Sequence, residues 1–592
     1  MSAEKSQRNT WLDFLKGIAI LEVLFYHLGG GIQKFGYLGV DLFFVINGYL
    51  VTKSILKSQK TGRKFSYFGE LFKRIMRLWP LVLISGAVCF LLGFFTMLPD
   101  DFENLSEGIV ASDLFTQNIL QAITTGNYWD IGQGFKPLMH TWYLGILVQF
   151  YVVYFFIVWL TSRVSKHFEK TLSIVLGVLS VLSLLCFLIL GGTGRNFYLL
   201  HIRFFELAVG CLLPLFDLDG RLCKGRKYYW IAVPVLLALF LPNAAYIPQS
   251  LRLLLVVISS VVAVLYSGEA EDVQRCEANK GYHTFAGIGK ASYSVFIWHQ
   301  IIIAFYRYIY QASLRLPDHI TILVLTALVS WISYVNLEGR LGVRISKNYR
   351  PALISSIAVC VILSGAAGII YERAGVVRDV PELSVDKHHV QRGMNIAYCD
   401  RIYSYNRPFE NNGKIKVLAI GSSFMRDWVN VLLESTYRNQ LDIVYIPGDL
   451  LSEKDLDRIK AADYIFVNAS WKVEGKIPLY LEDNMKEGAC LYGIGDKRFG
   501  ESNGNIYNRR FFKGYFDSTA SFEDIVEMYE AEKAAWGKDR VVDFIEPVMA
   551  PCGKRVRVFT DDHKYISQDT SHLTQNGARY YARIMDLGAI FD

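Results

Sequence analysis

Charge is scarce in this chain, and its scarcity is uneven. Only 20% of the 592 residues are charged, against 52% hydrophobic, and nearly all of the apolar excess lies before residue 371. A single soluble domain is thereby excluded. Cysteine is equally unhelpful as a scaffold. Of the nine cysteines, Cys89, Cys186, Cys211 and Cys360 sit in apolar runs, where the thiol acts as a small hydrophobe. No disulfide framework follows, although one pair among Cys399, Cys490 and Cys552 can bridge if that part of the chain is extracytoplasmic. There is no long internal repeat and no low-complexity segment, which excludes solenoid architectures. No small-residue cleavage site follows the first apolar run, so that run is expected to stay as an uncleaved anchor. The net charge of +7 concentrates in a few loops and gives no reason to expect a nucleic-acid partner.

What the chain does have is apolar runs long enough to cross a bilayer. Eleven candidate spans are expected, at about 11–28, 38–56, 80–98, 142–161, 172–191, 198–216, 229–242, 251–267, 291–308, 319–336 and 351–371. Basic loops orient them. Between the second and third spans stand Lys53, Lys57, Lys60, Arg63, Lys64, Lys73, Arg74 and Arg77. The next loop carries Asp100, Asp101, Glu103, Glu107, Asp113 and Asp130 against Lys136 alone. Further basic groups fall at Arg163, Lys166 and Lys170, at Arg221, Lys224, Arg226 and Lys227, and at Arg340, Arg344, Lys347 and Arg350. This alternation predicts a cytoplasmic N-terminus, an external acidic loop and an extracytoplasmic C-terminal domain.

The first span is unusual for the charge it carries: Asp13, Lys16, Glu22 and His27. Ionisable groups at membrane depth are costly and point to function. Lys16 and His27 lie within about 20° of one helical face and roughly 16 Å apart along the axis. The alternative is that Asp13 and Lys16 snorkel and that His27 is a satisfied helix-end histidine.

Residues 372–412 read as a linker that wraps the domain after it. From residue 413 the pattern becomes α/β. Strands are expected at 416–420, 441–446, 464–468 and 490–494, with helices between them and a final helix from Asn576. That pattern predicts a mostly parallel sheet covered on both faces, with its site at the carboxyl ends of the strands. Ser423 follows the first strand and opens a helix, where first-turn N–H groups can receive an oxyanion. Asp569 and His572 stand three apart, so the acid can orient an imidazole that deprotonates the serine. Gly448 and Asn468 end the next two strands and are candidate oxyanion donors. Each feature has an ordinary reading in caps and turns.

Together, in this order, these residues resemble the SGNH hydrolase family over about 390–592. The resemblance implies an α/β/α domain with nucleophile Ser423, base His572, orienting acid Asp569 and oxyanion donors Gly448 and Asn468. The family's Gly-Asp-Ser is Gly421-Ser422-Ser423 here, so Ser422 is a rival nucleophile.

The membrane part, over about 8–345, resembles the acyltransferase family 3 membrane O-acyltransferases. Lys16 and His27 match its basic residue, ten-residue gap and histidine. The segment from Gly36 to Thr52 matches its Gly-Val-Asp block, with Asn47 in a serine position. Arg74 and Arg77 match its Arg-x-x-Arg. Residues 140–151 match a further block, but Tyr143 replaces serine and Leu147 stands where an acid is usual. Residues 203–210 and 291–300 match later blocks, including Glu206 and His299. The resemblance implies that His27 and Lys16 act in catalysis and that Arg74, Arg77, Trp142 and Glu206 bind an acyl donor. Trp142, Glu206 and His299 also fit helix packing.

The domain order expected is therefore 1–345 acyltransferase membrane domain, 346–371 an additional span, 372–412 linker and 413–592 SGNH-like domain. The combination resembles cell-surface polysaccharide O-acetyltransferases of the bacterial inner membrane. It implies acetyl-CoA as donor substrate, a cell-surface glycan as acceptor, the bilayer as surroundings, and no bound cofactor or metal. An extracytoplasmic carbohydrate esterase and a non-enzymatic transporter of a glycan precursor are the alternatives.

Overall fold

The structure is a computed structural model. It describes residues 9–592 apart from 30–33, 63, 125–132, 192–193, 217–225, 243–245, 268–279, 311–312, 343–347, 391–393, 449–450, 452–454, 478, 501 and 552. Cys552, Arg63, Asp130, Arg221, Lys224, Arg344 and Lys347, named above, lie outside the described residues. The chain divides into two compact units. The first holds residues 1–95, 104–307 and 314–369; the second holds 96–103, 308–313 and 370–592.

The first unit is helical. All eleven stretches expected to span fold as helix: α1 (Thr10–Leu28), α2 (Gly39–Lys60), α3 (Tyr67–Thr96), α6 (Trp142–Val164), α7 (Phe168–Leu190), α8 (Leu200–Phe216), α9 (Arg226–Phe240), α10 (Gln249–Leu265), α12 (Ser292–Ile309), α13 (Leu316–Ser333) and α14 (Arg350–Glu372). Among the described residues, six helices are long and apolar enough to cross a membrane. α1 is not among them, and its charged side chains explain why. The acidic segment between the third and fourth expected spans forms two helices, α4 (Pro99–Asp113) and α5 (Gln117–Thr124). Leu105 and Ile109, four apart on α4, are buried and give it an inner face.

α1 shows how sequence sets its own limits. The Asn9 side chain accepts from the Trp11 and Leu12 amides at 3.0 and 3.2 Å, and Gly29, at φ 84°, ends the helix. α1 then packs closely on α11 (Lys280–Lys290). A Cβ on Gly289 would stand 1.7 Å from the Asp13 carbonyl oxygen, and one on Gly17 2.1 Å from that of Phe285. Small residues at such crossings let backbones approach where no hydrophobic force separates helix from lipid.

The second unit is built on a five-stranded parallel sheet in the order β2-β1-β3-β4-β6. Its strands are β1 (Ile415–Gly421), β2 (Leu441–Pro447), β3 (Tyr464–Asn468), β4 (Cys490–Ile494) and β6 (Val541–Val542). A separate antiparallel pair, β5 (Thr519–Ser521) and β7 (Arg555–Arg557), was not legible in the sequence. Alternate residues of β1 enter opposite cores. Val417 and Ala419 join Trp428, Phe466 and Tyr492, while Leu418 and Ile420 join Trp471 and Trp536. The sheet is thus covered on both faces, which explains its near-continuous apolar strands. Helices α15 (Ser423–Glu434) and α17 (Gln575–Ile584) contribute to the first core, and Trp536 of α16 (Val526–Trp536) to the second. Part of the expected linker belongs to the domain: Val380 and Ile402 are buried in its core.

Candidate functional site

In the helical unit, two cavities lie back to back. The first, about 130 Å³, is walled by Lys16, Arg74 and Arg77 together with Lys290, Tyr143 and Tyr151. Glu338 is its one acid, and it accepts from the amide and hydroxyl of Ser294 at 3.1 and 2.5 Å. Lys16 lies 3.7 Å from Asp13, one helical turn before it. A cavity with four cations and one carboxylate suits a polyanion. Arg74 and Arg77 therefore come together with Lys16, which the sequence placed only on a different helix.

The three positions noted above as departing from the pattern the membrane part resembles, Asn47, Tyr143 and Leu147, all line this cavity. Two of them are bonded to each other: Asn47 Nδ2 donates to the Tyr143 hydroxyl at 2.7 Å. The Tyr143 ring also stacks on Phe44, with centroids 4.8 Å apart.

The second cavity, about 310 Å³, is walled by His27, His140, Trp142 and aromatic groups including Tyr26, Tyr37 and Phe197. Phe296 belongs to both walls. Its ring packs on Tyr143 at 5.4 Å and on His140 at 5.0 Å. The histidines form a cluster: His299 Nε2 is 3.1 Å from His27 Nδ1, and the His140 and His299 rings are 5.2 Å apart.

Two donor-site expectations change here. Trp142 lines the His27 cavity, not the one walled by the arginines. Glu206 is in the wall of neither. It is fully buried and bonded to Arg203 Nη1 at 2.7 Å, and the same nitrogen holds Asp41 at 2.7 Å. A buried carboxylate needs a paired cation, and this ion cluster satisfies that need within the helix packing.

In the α/β unit, the expected dyad forms. His572 Nδ1 hydrogen-bonds to Asp569 Oδ2, and the Ser571 and His572 amides donate to Asp569 Oδ1 at 2.9 and 2.7 Å. Both carboxylate oxygens are therefore engaged. Thr570 holds φ 78° between them, a left-handed conformation that side chains other than glycine adopt at a cost of about 1–3 kcal/mol. Burial pushes the His572 imidazole down to about 4 and the Asp569 carboxyl up. The first turn of α15 meets this loop. The Phe424 ring lies 6.2 Å from that of His572, and Asp427 Oδ2 accepts the Leu573 amide at 3.1 Å. Asp427 is in turn 2.8 Å from the fully buried Lys497 ammonium, which sits 3.6 Å from the centre of the Phe424 ring. Burial pushes Asp427 up and Lys497 down. This supporting pair carried no sequence signal.

Ser423 opens α15 and is 6% exposed, whereas Ser422 before it is exposed. Asn468 lies hard against the turn: a Cβ on Gly421, at φ 149°, would be 2.9 Å from Asn468 Oδ1. Gly448 does not supply the N–H expected of it. Its amide donates to the Gly421 carbonyl at 3.1 Å, an oxygen that also accepts from the Tyr445 hydroxyl at 2.9 Å. The parallel pairing of β1 and β2 carries on one residue past the strands and consumes that donor.

Among the described residues, no group of three or more His, Cys, Asp or Glu could hold a metal ion. No solved structure matches the chain significantly. Among curated proteins, O-acetyltransferase OatA of Staphylococcus aureus (strain NCTC 8325 / PS 47) is 28% identical over 357 residues, covering 55% of this chain and 56% of that protein. Peptidoglycan O-acetyltransferase OatA of Listeria monocytogenes serovar 1/2a is 27% identical over 307 residues, covering 49% of each. The chain thus spans about half the length of these relatives. Residues 9–335, which include His299 and every lining residue of both cavities except Glu338, match the acyltransferase domain family, and the chain belongs to that family.

Proposed function

We propose that this protein is a membrane O-acetyltransferase that carries an acetyl group from cytoplasmic acetyl-CoA to a hydroxyl of a cell-surface glycan. The observation that carries the reading is the pairing of a cationic cavity with a histidine cavity across one shared aromatic wall. Lys16, Arg74 and Arg77 suit the phosphates of the donor. His27, beyond Phe296, serves as general base: it takes the proton of an acceptor hydroxyl as that oxygen attacks the thioester carbon. The carbon–sulfur bond breaks and the CoA thiolate leaves, taking up that proton. The relatives' names support acetyl as the group and a cell-wall glycan as the destination.

In this reading the C-terminal unit is an SGNH-like domain outside the cell, beyond eleven spans and a cytoplasmic N-terminus. Ser423 there attacks the acetyl ester formed in the first step, whose alkoxy oxygen leaves, and the acetyl-serine then passes the group to the glycan. His572 takes the serine proton and gives it to that leaving oxygen, later takes the sugar hydroxyl proton and gives it to Ser423 Oγ as the serine ester breaks, and Asp569 holds its ring. Asn468 and the first-turn N–H groups of α15, which have no acceptors within the helix, supply the oxyanion site. The test is labelled acetyl-CoA supplied to membranes carrying the protein or Ser423→Ala. The expected result is label on glycan with the unsubstituted protein and none with the variant, while both release CoA thiol. Full glycan labelling by Ser423→Ala would sink the relay.

A further inference from the structure

His299 lies 272 residues from His27 in sequence, and no reaction step above uses it. Its surroundings determine where its proton sits. Nδ1 lies 2.7 Å from the Phe296 carbonyl oxygen and 3.1 Å from that of Val295. Carbonyl oxygens only accept, so Nδ1 carries hydrogen, and the neutral ring presents a lone pair at Nε2. That lone pair faces His27 Nδ1 at 3.1 Å. His27 Nδ1 also lies 3.0 Å from the Val23 carbonyl oxygen. With hydrogen on His27 Nδ1, every one of these contacts joins a donor to an acceptor while both rings stay neutral. With hydrogen on Nε2 instead, Nδ1 would face two acceptors with no proton between them.

We infer that His299 is the positioning residue of the membrane site: it holds His27 in the Nδ1–H tautomer and leaves the His27 Nε2 lone pair for the reaction. The chain of bonds runs from the Phe296 and Val295 carbonyls through His299 to His27. It does for the membrane histidine what a carboxylate does in a Ser-His-Asp triad, without adding a charge to the membrane interior. Phe296, which lines both cavities, also supplies, through its backbone, the carbonyl that fixes His299. The inference rests on His27 being the base proposed above.

The test compares His299→Gln with His299→Met in the full-length protein in proteoliposomes. The two side chains are of similar size. Glutamine can donate from Nε2 to the carbonyls and accept at Oε1 from His27; methionine cannot donate, and its thioether accepts only weakly. With acetyl-CoA as donor and CoA thiol release as readout, His299→Met is expected to lower kcat by roughly 10²-fold or more with KM within about threefold, and His299→Gln to recover at least about tenfold of that loss. Equal kcat for the two variants, or a loss confined to KM, overturns the inference. A second arm needs no donor: the rate at which diethyl pyrocarbonate acylates His27, followed by mass spectrometry of its peptide. His27 is expected to label several-fold more slowly in His299→Met than in His299→Gln, because Nε2 loses its lone pair for part of the time. Equal labelling overturns the tautomer assignment. If the unsubstituted protein releases no thiol from acetyl-CoA, the donor assignment fails, and the labelling arm still decides the role of His299.

Discussion

Each unit contains a histidine oriented through its Nδ1, and the two are oriented differently. In the α/β unit the partner is a carboxylate, Asp569, with 38% of its side chain accessible. In the helical unit the partner is a second imidazole, that of the fully buried His299. The difference follows from the surroundings. A partly accessible carboxylate whose burial is offset by the Ser571 and His572 amides stabilises the imidazolium that forms during transfer. A carboxylate deep among membrane helices needs a cation of its own, as Asp41 and Glu206 have in Arg203. A neutral ring orients without that debt, but it gives up the electrostatic help.

The comparison can be broken most directly at Asp569. Asp569→Asn is expected to lower glycan acetylation by roughly 10³–10⁴-fold, because an amide no longer favours the required tautomer. CoA thiol release should be unchanged, and a parallel loss of both would mean that the two histidines do not act in separate steps. Next in size is donor binding. Arg74→Gln with Arg77→Gln should raise KM for acetyl-CoA by roughly 10–100-fold at nearly constant kcat, as expected when ground-state and transition-state contacts are lost alike. A fall in kcat alone would move the arginines from binding to chemistry.

The cost of an unpaired carboxylate can be measured on its own at Glu532. It is 1% exposed, and its Oε2 accepts the Asp496 amide at 2.9 Å. Burial pushes it from 4.5 up to about 8. The folded protein therefore binds the proton more tightly than the unfolded chain does. Its contribution to stability is complete below pH 4.5 and is lost as pH rises through about 8. Glu532→Gln should be close to neutral at pH 5 and stabilise the protein by on the order of 3 kcal/mol at pH 8, read by denaturant unfolding at the two values. A gain that does not grow with pH would show that the carboxyl is not held protonated. The smallest effect expected is that of Ser422→Ala, within about threefold of the unsubstituted protein in glycan acetylation, since an exposed cap residue without a capping bond carries little. A large loss there would transfer the nucleophile's role from Ser423.

Local pattern carried much of this. Apolar runs placed helices at all eleven expected stretches, and the strands around Val417, Ile443, Phe466 and Tyr492 fell where period and turn residues put them. Ser423, Asp569 and His572 were legible because their motifs are short. What could not be read depends on distant partners. Nothing near Gly448 says that its amide will be taken by Gly421, and nothing near Glu206 says that Asp41 shares its arginine. The helices of the acidic stretch were not read because its carboxylates hid an inner face that includes Leu105 and Ile109. His299 stood in a matched block, but its meaning depends on a contact made across most of the membrane unit.

The wall at Phe296 has an energetic consequence for the cell. Two chambers lined by lysine, arginine and histidine would, if merged, form a wet and protonatable path through the membrane unit. Each proton leaking along such a path would dissipate about 2.3 kcal/mol per 100 mV of transmembrane potential. The apolar Phe296 ring, shared by both linings, offers such a path no protonatable group, and in the proposed reaction only the thioester arm of the donor passes it. If the proposed acetyl transfer to a surface glycan holds, it then need not discharge the gradient that powers the cell.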